Sequence, residues 1–445
     1  MYELCLIKDF LYAERYIHDM EENFEEYGES SNYRSAINEI KEIMKCCAKQ
    51  QGRDVLFIHI IDSLADYIVD KMPWLNAWAK KGIRFRGITV QYPCTQYSMN
   101  TMFTGKTPFE IEETTANVKW EDSELLSFIK SRYSINFVSV DRLVMKQFEE
   151  INDNHVKNWS HSALTEVLFE GLALWKKKNH DNVIIFNSGG ELHTSFFRTG
   201  TTKRLDQCEK MVHKSQFEEQ FKNAVQYVDE ELAWYDNYYS LTEMPMIIMG
   251  DHGVSPEEVY NYFLGVKPDI TRGNNKELTA ALLINGVGKQ AEISGLVPNT
   301  KTPNIIKAVL ENKTETLEGM CENVVELEFI PGWDEIYCKR FMSRSIYGQY
   351  EGFIGIRTLD EIYLVSASDR ELYFRLDIAG GYRNCVNDIQ FKTNVEKCRK
   401  ILADKKFPVN IFKAEKYKKH LELLEIYDNE CYQEIIKKID ELEVL

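Results

Sequence analysis

The sequence predicts an α/β protein: a doubly wound, mostly parallel sheet with a small C-terminal antiparallel α+β subdomain. Three observations predict it. Short apolar runs rich in β-branched residues, at 55–61, 135–140, 182–187 and 246–249, alternate with segments of helical periodicity. Runs that are apolar on both faces suit strands covered on both sides, as a parallel sheet requires. The 55–61 and 246–249 runs lead into the acids Asp62 and Asp251, and the carboxyl edge of such a sheet is where ligand sites form. From about residue 320 the texture changes to strands joined by tight turns, the pattern of a separate antiparallel sheet.

The chain divides accordingly into a helical extension over 1–50, a catalytic domain over 51–315 and a C-terminal subdomain with terminal helices over 316–445. The extension reads as two helices, 9–25 and 32–50, separated by Gly28-Glu-Ser-Ser, with apolar spacing that packs them on the domain or on a second subunit. After the 55–61 strand and Asp62, a short helix over 73–81 ends at Gly82, placed as a left-handed C-cap. A second strand, 83–90, leads to Tyr92-Pro93-Cys94-Thr95, with Thr95 as N-cap of a helix running to Thr104-Gly105. A hydroxyl there faces the positive end of the helix dipole, which favours an alkoxide and binds oxyanions.

Helices near 121–131 and 162–178 flank the 135–140 and 182–187 strands. The loop NSGGELHTSFF, 187–197, follows with Glu191 and His193 at the sheet edge; Asn187 and Arg198 are weaker candidates. A long helix over 217–239 precedes Met249-Gly250-Asp251-His252-Gly253, where flanking glycines allow close backbone approach. A polar, loop-rich stretch over 254–275 suits a substrate-facing insertion. The C-terminal subdomain opens on a strand over 355–365, paired through Ser-Ala-Ser-Asp with a strand over 370–376; residues 395–445 read as helical and charged.

In this order the motifs resemble the alkaline phosphatase superfamily, and within it the sulfatase-like branch. The carriers are the Asp62 strand, MPWLNAWAKKGIRF, the Thr95 helix ending in Thr104-Gly105, and GDHG; the similarity is good over 53–290 and weaker to about 380. Family nucleophiles stand ten residues before that glycine, as Thr95 does. The resemblance implies a metal held by Asp62, Asp251, His252 and Thr95, with His193 contacting the ester anion and Glu191 assisting; 276–286 resembles the family's returning strand, with Lys276 as an anion contact. It departs from true sulfatases, whose oxidised Cys or Ser lies in C-x-P-x-R: Cys94 is one place out, and Cys94-Thr-Gln-Tyr-Ser lacks the Pro and the Arg.

Phosphoester chemistry through Thr95 and a phosphothreonine is therefore the expectation, as a hydrolase or a phospho-group transferase. A sulfuric ester hydrolase and a catalytically silent binding protein are the alternatives. Carboxylate and imidazole donors suit Zn or Mn first, Ca or Mg next. A single metal site is favoured: the two-metal relatives that the resemblance implies carry a further His downstream of DHG, and here no His lies between His252 and His420. The substrate class is a small-molecule or glycan phosphoester. A formal charge of −16 argues against nucleic acid. No apolar run is long enough to span a bilayer, and the N-terminus lacks signal-peptide form. Ten scattered cysteines without CxxC fit a cytoplasmic protein, and a homo-oligomer is compatible with the amphipathic terminal helices.

Overall fold

The computed structural model describes residues 4–5, 8–23, 30–49, 54–111, 117–139, 142–152, 164–177, 181–188, 191–192, 214–254, 275–329, 352–367, 369–376 and 384–407, with isolated positions between 422 and 437. Two sheets organise them. In the larger, β3 (Ser134–Ser139), β4 (Asn182–Ser188), β1 (Val55–Ile61) and β5 (Met246–Gly250) lie side by side and parallel. β6 (Thr279–Asn285) then runs antiparallel, β2 (Ile83–Thr89) reverses again, and β7 (Ala291–Ile293) and β8 (Val297–Pro298) pair parallel with β2. The expected mostly parallel α/β sheet is present.

The continuous apolar runs are explained by cover on both faces. Along β1, Val55, Phe57 and Ile61 enter one core, while Leu56, Ile58 and Ile60 enter the other. The first core is closed by the Leu164–Lys177 and Lys214–Tyr239 helices through Leu168, Trp175, Val228 and Tyr235. The second is closed by the Thr95–Thr104, Glu124–Arg132 and Thr302–Leu310 helices through Met99, Phe103, Leu126, Ile129 and Ile305. Burying each such side chain contributes about 1.5–3 kcal/mol. A strand buried on two faces therefore anchors the fold more firmly than one with a wet face.

The two N-terminal helices, Phe10–Asn23 and Ser30–Ala48, join the first core through Phe10, Ile17, Ile37 and Met44. Asp9 caps the first of them, accepting Tyr12 N–H at 3.1 Å, and takes the Tyr227 hydroxyl of the long helix at 3.0 Å.

Two local expectations are corrected. Gly82 is not left-handed; its lack of a Cβ matters because one there would lie 1.9 Å from Ile284 O, across the β2–β6 pairing. The strand expected over 355–365 is two strands, β10 (Phe353–Arg357) and β11 (Glu361–Ser366), because Thr358, Leu359 and Asp360 turn the chain back. With β9 (Val325–Phe329) and β12 (Glu371–Arg375) they form an antiparallel sheet of order β12-β11-β10-β9. The Lys392–Leu402 helix covers it through Val395, Cys398 and Leu402. Of the stretch expected to be helical over 395–445, most of the part beyond residue 407 lies outside the described residues. No described helix is long and apolar enough to cross a membrane.

Candidate metal and nucleophile site

The site forms where β1 and β5 end together. Asp62 directly follows β1, and its N–H donates to Ser188 O at 2.9 Å, tying the turn to β4. Ser63 then takes a left-handed conformation, φ 67°, rare for a residue with a Cβ. The turn aims Ser63 N–H at Asp251 Oδ1, 2.9 Å away, and the Ser63 hydroxyl at Asp62 Oδ1, 3.0 Å away. Asp251 Oδ1 also accepts His252 N–H at 2.8 Å. Its other oxygen, Oδ2, is buried and has no hydrogen-bond partner.

The glycines of the GDHG turn are steric necessities: a Cβ would meet Leu64 O at 2.1 Å from Gly250 and Lys276 O at 1.9 Å from Gly253. His252 Nδ1 lies 2.6 Å from Gly253 O. A carbonyl can only accept, so Nδ1 carries the hydrogen, and in the neutral ring Nε2 presents its lone pair. That nitrogen stands 3.7 Å from Asp62 Oδ1, 3.6 Å from Asp251 Oδ2 and 3.5 Å from Thr95 Oγ1.

Two carboxylates and an imidazole thus place donor atoms within 4.8 Å of one another, with Asp251 wholly buried. Like charges held together in a dry setting are costly without a counter-charge. Donors around one cation lie roughly 3–4.5 Å apart when each bond is near 2.0–2.6 Å, so the spacing fits a divalent ion. The orphaned Asp251 Oδ2 is the strongest single sign of it.

Thr95 is not the N-cap expected of it. Cys94 holds that position with extended backbone (φ −140°, ψ 122°), and Thr95 is the first residue of the Thr95–Thr104 helix. The change matters chemically: the Thr95 hydroxyl faces His252 instead of serving its own helix. First-turn N–H groups lack intrahelical acceptors, so the positive end of the helix still lies beside that hydroxyl. Gly105, with φ 75°, closes the helix as a left-handed cap.

No protein-family profile matches the chain, and no curated protein matches it by sequence. Solved structures do match. A protein solved in complex with its substrate D-glucosamine-2-N,6-O-disulfate superposes with a TM-score of 0.56 at 10% identity, over 83% of this chain and 100% of that one. A phosphonate monoester hydrolase from Silicibacter pomeroyi gives 0.55 at 11%, over 79% and 94%. An alkaline phosphatase superfamily protein from Vibrio parahaemolyticus gives 0.51 at 13%, over 85% and 97%. The fold is that of the sulfatase-like branch of the alkaline phosphatase superfamily.

Within this sulfatase-like fold, Asp62, Thr95, Asp251 and His252 come together. Among the described residues they include the one cluster of three metal-donor side chains. His193 and Arg198 lie outside the described residues. Glu191 is buried, with Oε1 accepting Leu164 N–H at 3.0 Å at the head of a helix. Asn187 is buried too, accepting the Ser139 hydroxyl at 2.9 Å. Lys276 places its ammonium 5.5 Å from the centre of the Tyr67 ring.

Three contributors escaped the sequence reading. Ser63 supplies the strained turn. Ser98 donates its hydroxyl to Asp251 O, and Asn299 donates to Ser98 Oγ at 3.4 Å while accepting Gln91 N–H at 3.3 Å. Position alone signals the first two: Ser63 follows the first acid, and Ser98 lies one turn beyond Thr95 on the same helix face. Asn299, some two hundred residues from Ser98, carries no such signal.

Proposed function

We propose that the protein is a divalent-metal-dependent phosphoester hydrolase in which Thr95 is the nucleophile and a phosphothreonine the covalent intermediate. The observation that carries it is the approach of Thr95 Oγ1 to His252 Nε2 at 3.5 Å, beside a buried carboxylate oxygen without a partner. Asp62, Asp251 and His252 would hold the ion, with Zn or Mn best suited to that donor set. A bound ion supplies positive charge that favours the ionised hydroxyl and a non-bridging ester oxygen.

The protein's own residues supply the rest. Thr95, a half-buried residue, loses its hydroxyl proton to solvent, and Oγ1 forms the new P–O bond as the ester oxygen departs with its electron pair. His193 is assigned the proton delivered to that oxygen. The N–H groups of the Thr95–Thr104 helix face the developing charge. Water then cleaves the Thr95 ester, releasing phosphate or a phosphomonoester; an alcohol in place of water would make the same step a transfer. Small-molecule and glycan esters are the substrate class.

A sulfate-ester reading has one observation in its favour, the superposition on a protein that binds a disulfated glucosamine. Threonine cannot become the oxidised residue that sulfatases use, so phosphoesters rank first. Parallel assays of phosphodiester, phosphonate monoester, phosphate monoester and aryl sulfate decide between them, with mass spectrometry of quenched protein for an adduct on Thr95. An adduct with phosphoester substrates, lost in Thr95→Val, is expected. Turnover of the sulfate alone, or full turnover by Thr95→Val, overturns the proposal, and metal binding without any turnover points to a silent binding protein.

A further inference from the structure

Arg357 is the last residue of β10 in the small sheet, yet its guanidinium is buried against the large one. Nη1 donates to Thr89 Oγ1 and to Leu278 O, each at 3.1 Å, and Nη2 donates to Asn275 Oδ1 at 2.6 Å. All three acceptors are neutral, and Nε–H has no partner. Burial pulls its pKa down to about 10. A charge held this way is costly.

Its partners sit on the two approaches to the site. Thr89 ends β2, five residues before Cys94 and the Thr95 helix. Leu278 O also takes Val90 N–H at 2.9 Å, so Arg357 binds the point where that approach is stapled to the neighbouring strand. On the other side, Asn275 and Leu278 bracket Lys276 and Glu277. Glu277 O accepts Gly253 N–H at 2.8 Å, and Lys276 O fills the space a Gly253 Cβ would need. Gly253 O in turn holds His252 Nδ1. One guanidinium therefore clamps the segment that orients the imidazole and the strand that delivers the nucleophile.

We propose that Arg357 is a positioning residue for the metal centre, through which the C-terminal sheet holds His252 and Thr95 in register. The inference rests on the assignment of Asp62, Asp251 and His252 as metal ligands. It implies that the large sheet alone does not complete the site.

The test uses the full chain, Co²⁺ alone as probe, chelator competition for affinity and visible absorption for coordination geometry. The proteins are wild type, Arg357→Met, Arg357→Lys and Thr89→Val. Arg357→Met is expected to lower Co²⁺ affinity by about 10- to 100-fold, the usual cost of losing an outer-shell partner, and to alter the absorption band. Arg357→Lys, which can still donate to Leu278 O and Thr89 Oγ1, recovers part of both; Thr89→Val shows a smaller loss in the same direction. Unchanged affinity and spectrum in Arg357→Met, whatever its stability, make the guanidinium a joint between sheets and overturn the inference. If that variant fails to fold, an unchanged Thr89→Val does the same. Wild-type protein that binds no Co²⁺ removes the metal assignment itself, and this inference with it; that outcome is separable because it appears before any substitution.

Discussion

The two sheets treat their acids in opposite ways. In the small sheet each buried or half-buried carboxylate is matched. Glu361 Oε2 takes the Tyr373 hydroxyl and Asn394 Nδ2, the latter at 3.1 Å, and Glu371 takes the Tyr363 hydroxyl at 2.5 Å and Arg399. Glu328 accepts Phe109 N–H at 2.9 Å and the Lys405 ammonium at 2.8 Å. At the edge of the large sheet, Asp62 and Asp251 converge on one imidazole, and a buried oxygen of Asp251 is left without a donor. Matched acids hold structure together. A buried carboxylate oxygen left without a donor, beside a second acid and an imidazole, marks a place where stability has been given up for something to be bound.

Substitution at Asp251 breaks the contrast most sharply. Asp251→Asn keeps the oxygen that accepts Ser63 and His252 N–H but removes the orphaned charge. Stoichiometric metal should be lost by elemental analysis, and turnover should fall by about 10³-fold or more. The metal-free variant should nonetheless be more stable than metal-free wild type, by about 1 kcal/mol in urea unfolding. A less stable variant would mean that Asp251 is a structural acid like those of the small sheet.

Glu361→Ala should do the reverse. It strands the Tyr373 hydroxyl and costs about 1–3 kcal/mol, while Co²⁺ affinity stays at the wild-type value. Lost metal binding with little loss of stability would erase the distinction.

A subtler effect comes from the N-terminal helices. Asp9 and Glu231 are both fully buried, and burial pushes each carboxyl above its ordinary range, Glu231 the further. Acids raised on folding add stability that is fully present below the unfolded-state pKa, about 4, and lost as pH rises through the folded-state value. The urea midpoint should therefore drop as pH is raised from acid toward alkaline, and Glu231→Gln should flatten that slope. An equal slope in the variant would place the pH dependence elsewhere.

Much of this was legible in the chain itself. Periodicity found the four parallel strands that lie side by side in the large sheet, because a strand buried on both faces is apolar on both of them, and that pattern is local. Chain order and the acids at two strand ends, with the family resemblance they carry, singled out Asp62, Asp251, His252 and Thr95, which the fold brings together, since a strand's carboxyl end is fixed by its direction. Local signals failed where a turn competed with a long apolar stretch: the 355–365 run carries its turn at Thr358-Leu359-Asp360 without a glycine or proline to mark it. Gly82 failed for a related reason, its need being set by Ile284 O two hundred residues away and not by its own helix.

What the sequence by itself determined, then, is which residue types stand at the ends of which strands; the physical reason is that strand direction and side-chain alternation follow from nearest neighbours. Only the tertiary structure decided that Thr95 turns its hydroxyl to His252, that Ser63 is strained to feed Asp251, and that Arg357 reaches from one sheet to grip the other. Each of those depends on contacts between segments far apart in the chain, where the partner is chosen by packing and hydrogen-bond geometry, and no local pattern encodes it.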